Sequence, residues 1–217
     1  MKRKKIGIAF MIIGGLMLLA AIIIAVYNIS LQKKAEKASV EIVTEIRKMY
    51  NLPQMHEEIP QKSEVDMPDF EITTNTELPE AVIQTLENKK TVSIDNCSYI
   101  GVLQIIPLEI ELPITAEFSY KRLKQTPCRY SGSVESGNLI ICAHNYSSHF
   151  GGINKLVNGD IIRFISFDNV VRSYTVESIE VIEPTDIEAV NTDEYALTLF
   201  TCTLSGEARV VVKCVEA

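Results

Sequence analysis

The sequence predicts an all-β domain, a barrel or sandwich of many short strands, behind one N-terminal membrane-spanning helix. Three observations carry this. Residues 6–27 hold no charge and are almost wholly apolar, enough to cross roughly 30 Å of hydrocarbon as a helix. From Thr91 onward short apolar or alternating runs are punctuated by Gly, Pro, Asn and Asp, with no alternation of strands and long helices. The stretch from Thr198 to Cys214 reads as a β-hairpin whose two strands flank a polar turn.

Taken in order, Met1-Lys-Arg-Lys-Lys5 puts four positive charges before the span, while Lys33, Lys34 and Lys37 after it are diluted by Glu36. This bias predicts a cytoplasmic N-terminus with the remainder outside, in a single pass. A signal-peptide core is shorter, and Ala20-Ala21 and Ala25 make a poor cleavage site, so a retained anchor is expected over residues 1–29. A stalk helix follows from Ser30 to Tyr50, with Leu31, Ala35, Ala38, Ile42, Glu45, Ile46 and Met49 at three- and four-residue spacing. An acidic linker with Pro53, Pro60, Pro68 and Pro79 completes residues 30–90, where Pro79 can open a short helix. The β domain is assigned to 91–217. Its predicted strands are 99–106, stopped by Pro107; 108–112, closed by Pro113; 139–143; 161–166; 170–182; and the final hairpin.

Beyond residue 37 there remain 14 basic and 27 acidic residues, a net charge of −13. So acidic a domain argues against nucleic acid as a partner and leaves peptide or cell-envelope substrates open.

With Ser205-Gly206 as the central turn residues, the hairpin register pairs Thr203 with Ala208 and Cys202 with Arg209. A thiol facing a guanidinium is a poor core device. It is a sensible way to lower a thiol pKa and to hold donors near a developing oxyanion. The same register puts Phe200, Cys202, Arg209 and Val211 on one face, and Leu197, Leu199, Val210, Val212 and Cys214 on the other. The cysteines number five (Cys97, Cys128, Cys142, Cys202 and Cys214), which outside the cytoplasm leaves at least one thiol unpaired. Cys202 and Cys214 point apart; Cys128–Cys214 and Cys97–Cys128 remain open as bridges.

Of the histidines, His56 lies in the linker, whereas His144 follows directly on the apolar run Leu139-Ile-Ile-Cys-Ala143. A rigid strand end presents a side chain into a site, and an imidazole exchanges protons near neutrality. If the strands are neighbours, Cys202 is a nucleophile, His144 its proton partner and Arg209 a fixed cation. Asn145 is a candidate to orient His144, and His149 reads as a loop residue packed nearby. Cys142-x-His144-x4-His149 lacks a fourth ligand and makes a weak metal site.

Thr198-Leu-Phe-Thr-Cys202 followed by Arg209 resembles the TLxTC…R signature of the sortase family. Leu139-Ile-Ile-Cys-Ala-His144-Asn, continuing through His149-Phe-Gly-Gly-Ile-Asn-Lys-Leu-Val-Asn-Gly-Asp160, is similar to that family's AGHN…F…L…L…GD block. The resemblance covers roughly residues 99–215. It departs at Cys142-Ala143, where Ala-Gly is common. It implies a closed sortase-type β-barrel of about eight strands with short helices. It also implies a cysteine transpeptidase that cleaves an LPxTG-like sorting motif and passes the acyl group to an amine. In that reading Cys202 attacks, His144 protonates the departing amine and Arg209 braces the oxyanion. The partners implied are secreted proteins bearing a C-terminal sorting motif and a cell-wall precursor or pilin amine. The membrane would hold the enzyme among them, and the chemistry calls for no cofactor and no metal. The alternatives are a secreted cysteine peptidase releasing products to water, and a catalytically inactive membrane-tethered barrel that serves in assembly.

Overall fold

The computed structural model describes residues 2–55, 91–168 and 170–217, with side chains from Phe10 onward. The linker beyond residue 55, the short helix expected at Pro79 and His56 lie outside the described residues.

A single α-helix, α1 (Lys2–Met49), runs unbroken through the apolar stretch and the stalk. At 1.5 Å per residue its 48 residues extend about 70 Å. The apolar part, long enough to cross a membrane, is exposed, with Phe10, Leu16, Ile23 and Tyr27 uncovered. Its far end instead packs on the β domain. Ala35, Ser39, Val43 and Ile46 form the buried stripe, at the spacing of one helix face, while Met49 is exposed. Val43 and Ile46 join Val92, Ile94, Tyr99, Val102, Ile165 and Phe167 in an apolar cluster outside the barrel wall. Arg47 grips Glu111 through Nη2 at 2.7 and 2.9 Å, and Gln104 donates to the same carboxylate at 2.8 Å and to the Pro53 carbonyl at 3.2 Å.

Among the described residues the β domain has nine strands: β1 (Val92–Ile94), β2 (Cys97–Ile105), β3 (Ile110–Thr115), β4 (Cys128–Ser131), β5 (Leu139–Cys142), β6 (Ile161–Ser166), β7 (Val171–Ile182), β8 (Leu197–Cys202) and β9 (Arg209–Glu216). They pair in the order β1-β2-β3-β4-β5-β8-β9-β7-β6, and β6 returns to β2. Eight strands, β2 to β9, therefore close a ring and leave no free sheet edge. β1 is a short flap on the edge of β2 that β6 leaves uncovered. Asp95 and Asn96 both take positive φ, 47° and 57°, as a two-residue hairpin turn requires.

Two strand ends differ from expectation. β2 stops at Ile105 in a 3-10 turn over Ile106–Leu108, closed by Glu109 at φ 54°. β3 runs through Pro113 instead of ending there. Pro113 pairs with Val102 of β2, and on its other side β4 meets β3 only at Thr115, so the missing N–H breaks no ladder bond. The short helix α2 (Tyr120–Leu123), capped by the Ser119 hydroxyl, joins β3 to β4.

The barrel is filled from the inward faces of β2, β3 and β5 to β9, by Leu103, Leu112, Ile141, Ile162, Phe164, Tyr174, Leu199 and Val212 among others, with Phe150 added from the loop after β5. This interior supplies most of the domain's hydrophobic stabilisation, about 25 cal/mol per Å² of apolar area removed from water.

Candidate active site

The β8–β9 ladder pairs Leu197 with Cys214, Leu199 with Val212, Phe200 with Val211 and Cys202 with Arg209, the register read from the sequence. The turn itself differs. The Gly206 N–H bonds to the Thr203 carbonyl at 3.0 Å, so Leu204 and Ser205 are its central residues, and Gly206 follows at φ 78°. Thr203 and Ala208 still close the loop at 3.0 Å, which is why the register survives.

On the other side of β8 lies β5, parallel to it, with Leu139 paired to Leu197 and Cys142 to Phe200. The ladder ends there, but two bonds carry the contact one residue further. The Ala143 N–H donates to the Phe200 carbonyl at 3.3 Å, and the buried Thr201 hydroxyl donates to the Ala143 carbonyl at 2.8 Å. Ala143 and Thr201 face inward, so the next residues on the two strands, His144 and Cys202, both face outward at the same level. Neighbouring strands lie about 4.8 Å apart. Three adjacent strands thus deliver His144, Cys202 and Arg209 side by side on the outer wall of the barrel.

The cysteines divide sharply. All five are free; Cys97, Cys128, Cys142 and Cys214 are buried, and Cys202 alone is half-exposed. Burial pushes the Cys128 thiol up to about 11 and the Cys142 and Cys214 thiols to about 12, so these three stay protonated and inert at neutral pH. Neither bridge left open by the sequence forms. Cys214 is inside the barrel, whereas Cys128 packs outside it with Leu123, Cys142 and Phe200. The Cys97 sulfur instead faces the Thr115 hydroxyl at 3.9 Å.

His144 is half-buried, and its pKa lies below the usual imidazole value because burial disfavours the cation and Lys124, just after α2, adds a second positive charge nearby. The loop that follows winds around two carbonyls. That of His144 accepts from the Phe150 N–H, and that of Tyr146 from the N–H groups of His149 and Gly151. A Cβ on Gly151 would stand 2.7 Å from the Tyr146 oxygen, so only glycine lets this loop close. No hydrogen bond links Asn145 to His144 among the described residues. The Arg209 guanidinium bonds through Nη1 to the Gly206 and Ala208 carbonyls at 3.2 and 3.0 Å; among the described residues it makes no ion pair. Its charge is therefore available beside Cys202. From the thiol an aromatic series leads across the outer wall: Phe200, Tyr130, Phe118 and Tyr120, with successive ring centroids 5.2, 5.8 and 5.3 Å apart. Among the described residues no group of three His, Cys, Asp or Glu side chains is placed to hold a metal.

A family model described as "Sortase domain" matches residues 103–217, more than half of the chain. The chain belongs to the sortase family. No individually curated protein matches it in sequence. Among solved structures, sortase A from Corynebacterium diphtheriae shares the fold with a TM-score of 0.50 at 21% identity, over 55% of this chain and 60% of that one. Sortase C1 of the Group B Streptococcus pilus island 1 gives a TM-score of 0.49 at 22% identity, over 55% and 64%. Sortase C from Clostridium perfringens SM101 gives 0.45 at 24%, over 54% and 68%. The matched region thus spans under two thirds of the first two sortases.

Against this sortase frame, Thr201 and Lys124 are what the sequence reading passed over. Thr201 stood inside the quoted motif, and its inward position on β8 marked it for a partner on a neighbouring strand. Lys124 gave no signal, because its nearness to His144 arises only when α2 folds against β4 and β5.

Proposed function

We propose that this chain is a membrane-anchored sortase whose barrel lies outside the cell and which transfers acyl groups through a thioester on Cys202. The observation that supports this best is the outward row of His144, just past the end of β5, with Cys202 on β8 and Arg209 on β9. The Cys202 thiolate adds to the carbonyl of the residue at the cleavage point of an LPxTG-like motif. The oxyanion so formed is held by Arg209, a cation fixed by turn carbonyls beforehand and so needing little reorganisation. Collapse of the intermediate breaks the C–N bond, and the His144 imidazolium gives its proton to the leaving amine. An incoming amine from a cell-wall precursor or pilin then attacks the thioester, His144 takes its proton, and Cys202 leaves as thiolate. The depressed pKa of His144 makes its cation a stronger acid toward the leaving amine, while less of it is protonated at neutrality.

The substrates are secreted proteins carrying a C-terminal sorting motif. The basic N-terminus ahead of the apolar span sets the orientation, and attachment keeps the enzyme where its substrates arrive. The test uses the full chain in lipid nanodiscs with a library of LPxTG-like peptides, with and without triglycine. The expected results are a thioacyl adduct on Cys202 by mass spectrometry and a triglycine-linked product. Hydrolysis unaffected by triglycine would establish a peptidase instead. No adduct and no unusual alkylation of Cys202 would establish an inactive barrel.

A further inference from the structure

The mechanism leaves His149 unused, although it is fully buried. Its Nε2 lies 3.3 Å from the hydroxyl of Ser39, itself buried on α1, and that hydroxyl donates to the Gln125 carbonyl at 3.2 Å. The His149 ring also meets the Gln125 backbone; with the serine proton on the Gln125 carbonyl, the Ser39 oxygen accepts and the His149 Nε2–H donates. Nδ1 is then buried and, among the described residues, without a partner. Leaving a polar atom so costs stability, and an apolar side chain would fill the space without that cost. Burial, then the charge of His144, press the His149 pKa down to about 4, so the ring is neutral in use.

This one contact ties α1 to both sides of the candidate site. Gln125 continues directly from Lys124, the cation that acts on His144. His149 ends the turn that begins at His144, and the Tyr146 ring stands between the two imidazoles. Its centroid is 5.0 Å from that of His144 and 5.5 Å from that of His149, with planes 31° and 41° apart. Nearer the apolar span, Ser147 donates to Gln32 of α1 at 3.3 Å. The His144 loop therefore rests on the helix just beyond its apolar stretch. Unlike the partly exposed Arg47–Glu111 pair, Ser39 and His149 are both buried, and the buried helix positions around them, Ala35, Val43 and Ile46, are apolar.

We propose that α1 is a working part of the active site: Ser39 holds His149 and Gln125, and through the Tyr146 ring this sets the orientation of His144, making transfer conditional on the anchor helix being seated against the barrel. Ser39 and His149 are positioning residues, and the inference rests on the reading of His144 as the proton donor. It makes a domain freed of its helix a slow enzyme even with Cys202, His144 and Arg209 intact.

The experiment uses the full chain in nanodiscs, with side-chain NMR on ¹³C-labelled histidine and steady-state transfer to triglycine. The chain has three histidines, so the His144 signal is assignable by single substitution. Ser39→Ala and His149→Phe should move the His144 Cε1–H resonance and lower kcat roughly tenfold, with KM within about twofold of wild type. His149→Gln, whose amide N–H reaches toward Ser39, should recover most of both. Thermal melts establish that each variant is folded, and if His149→Phe is not, Ser39→Ala decides. An unmoved His144 resonance with unchanged kcat in folded Ser39→Ala overturns the proposal. So does equal loss in His149→Gln and His149→Phe. A resonance that moves in a protein without transfer activity overturns the proposed function and leaves the coupling standing.

Discussion

The inner and outer faces of β5, β8 and β9 are made by the same three strands and do opposite work. Inward go Leu139, Ile141, Leu197, Leu199, Val210, Val212 and Cys214, all buried in one apolar cluster. Outward go Cys142, Phe200, Cys202 and Arg209, with His144 two residues beyond the end of β5. Because side chains alternate along a strand, the interior that holds the register also decides what stands outside. A slip of one residue would bury Cys202 and expose Leu199. The site is as rigid as the core because each of its positions is the neighbour of a core position.

The sharpest test of this division compares two thiols on one hairpin. Cys202→Ala should abolish thioacyl formation and lower transfer by at least about 10⁴-fold, with an unchanged melting curve. Cys214→Ala should do the reverse. It removes a buried sulfur from the barrel interior, costs about 1 kcal/mol in urea unfolding, and leaves kcat/KM within about twofold. If Cys214→Ala were also inactive though folded, the two faces would not be independent.

Arg209→Lys comes next in size. Lysine keeps the charge but not the planar set of donors, and it cannot bond the Gly206 and Ala208 carbonyls while presenting N–H groups toward Cys202. Turnover should fall by about 10²-fold with little change in stability, checked by single-turnover acylation. Near-native acylation would reduce Arg209 to a general positive charge.

Thr201→Val probes the seam between the faces. The variant keeps shape and β-branching but removes the hydroxyl that bonds to the Ala143 carbonyl at 2.8 Å. Losing a buried hydrogen bond should cost about 1–2 kcal/mol, and a shift of His144 relative to Cys202 should lower kcat by roughly tenfold. The measurement is a paired melt and rate. Stability loss without rate loss would mean that β5 and β8 hold the pair without this tie.

These tests also mark what was legible in the sequence. The β8–β9 register could be read because it is local: a polar turn and period-2 patterning determine it, and it survived a one-residue error in the turn. That β5 lies beside β8 could not be read that way. The pairing is parallel, joins residues 58 apart, and reflects how the barrel closes; the motif resemblance brought Cys202 and His144 together where periodicity could not. Pro113 was misjudged as a stop because whether a proline is tolerated depends on the neighbour at its N–H side. The stalk was recognised as helical from its spacing, but its docking face was not, since Ser39 reads as a surface residue until His149 stands opposite it.

The smallest expected effect concerns charge around the outer face. Lys124 depresses the pKa of His144 together with burial, and burial is the larger influence. Lys124→Gln removes only the lesser cause, so the pKa of His144 should rise part of the way toward 6.5. The active pair carries one proton, and acid conditions silence it by adding the second. A higher His144 pKa means that second proton binds at higher pH, so the acid limb of kcat/KM should move upward. Within the one-proton pair a larger share then has that proton on His144, which favours protonation of the leaving amine. Raised ionic strength should imitate the substitution in wild type, because Lys124 is exposed and its field is screened over about 8–10 Å of salt solution. It should do nothing further to the variant. An acid limb that moves down on removal of Lys124, or that responds to salt equally in both proteins, would show that some other charge tunes His144 on this face of the barrel.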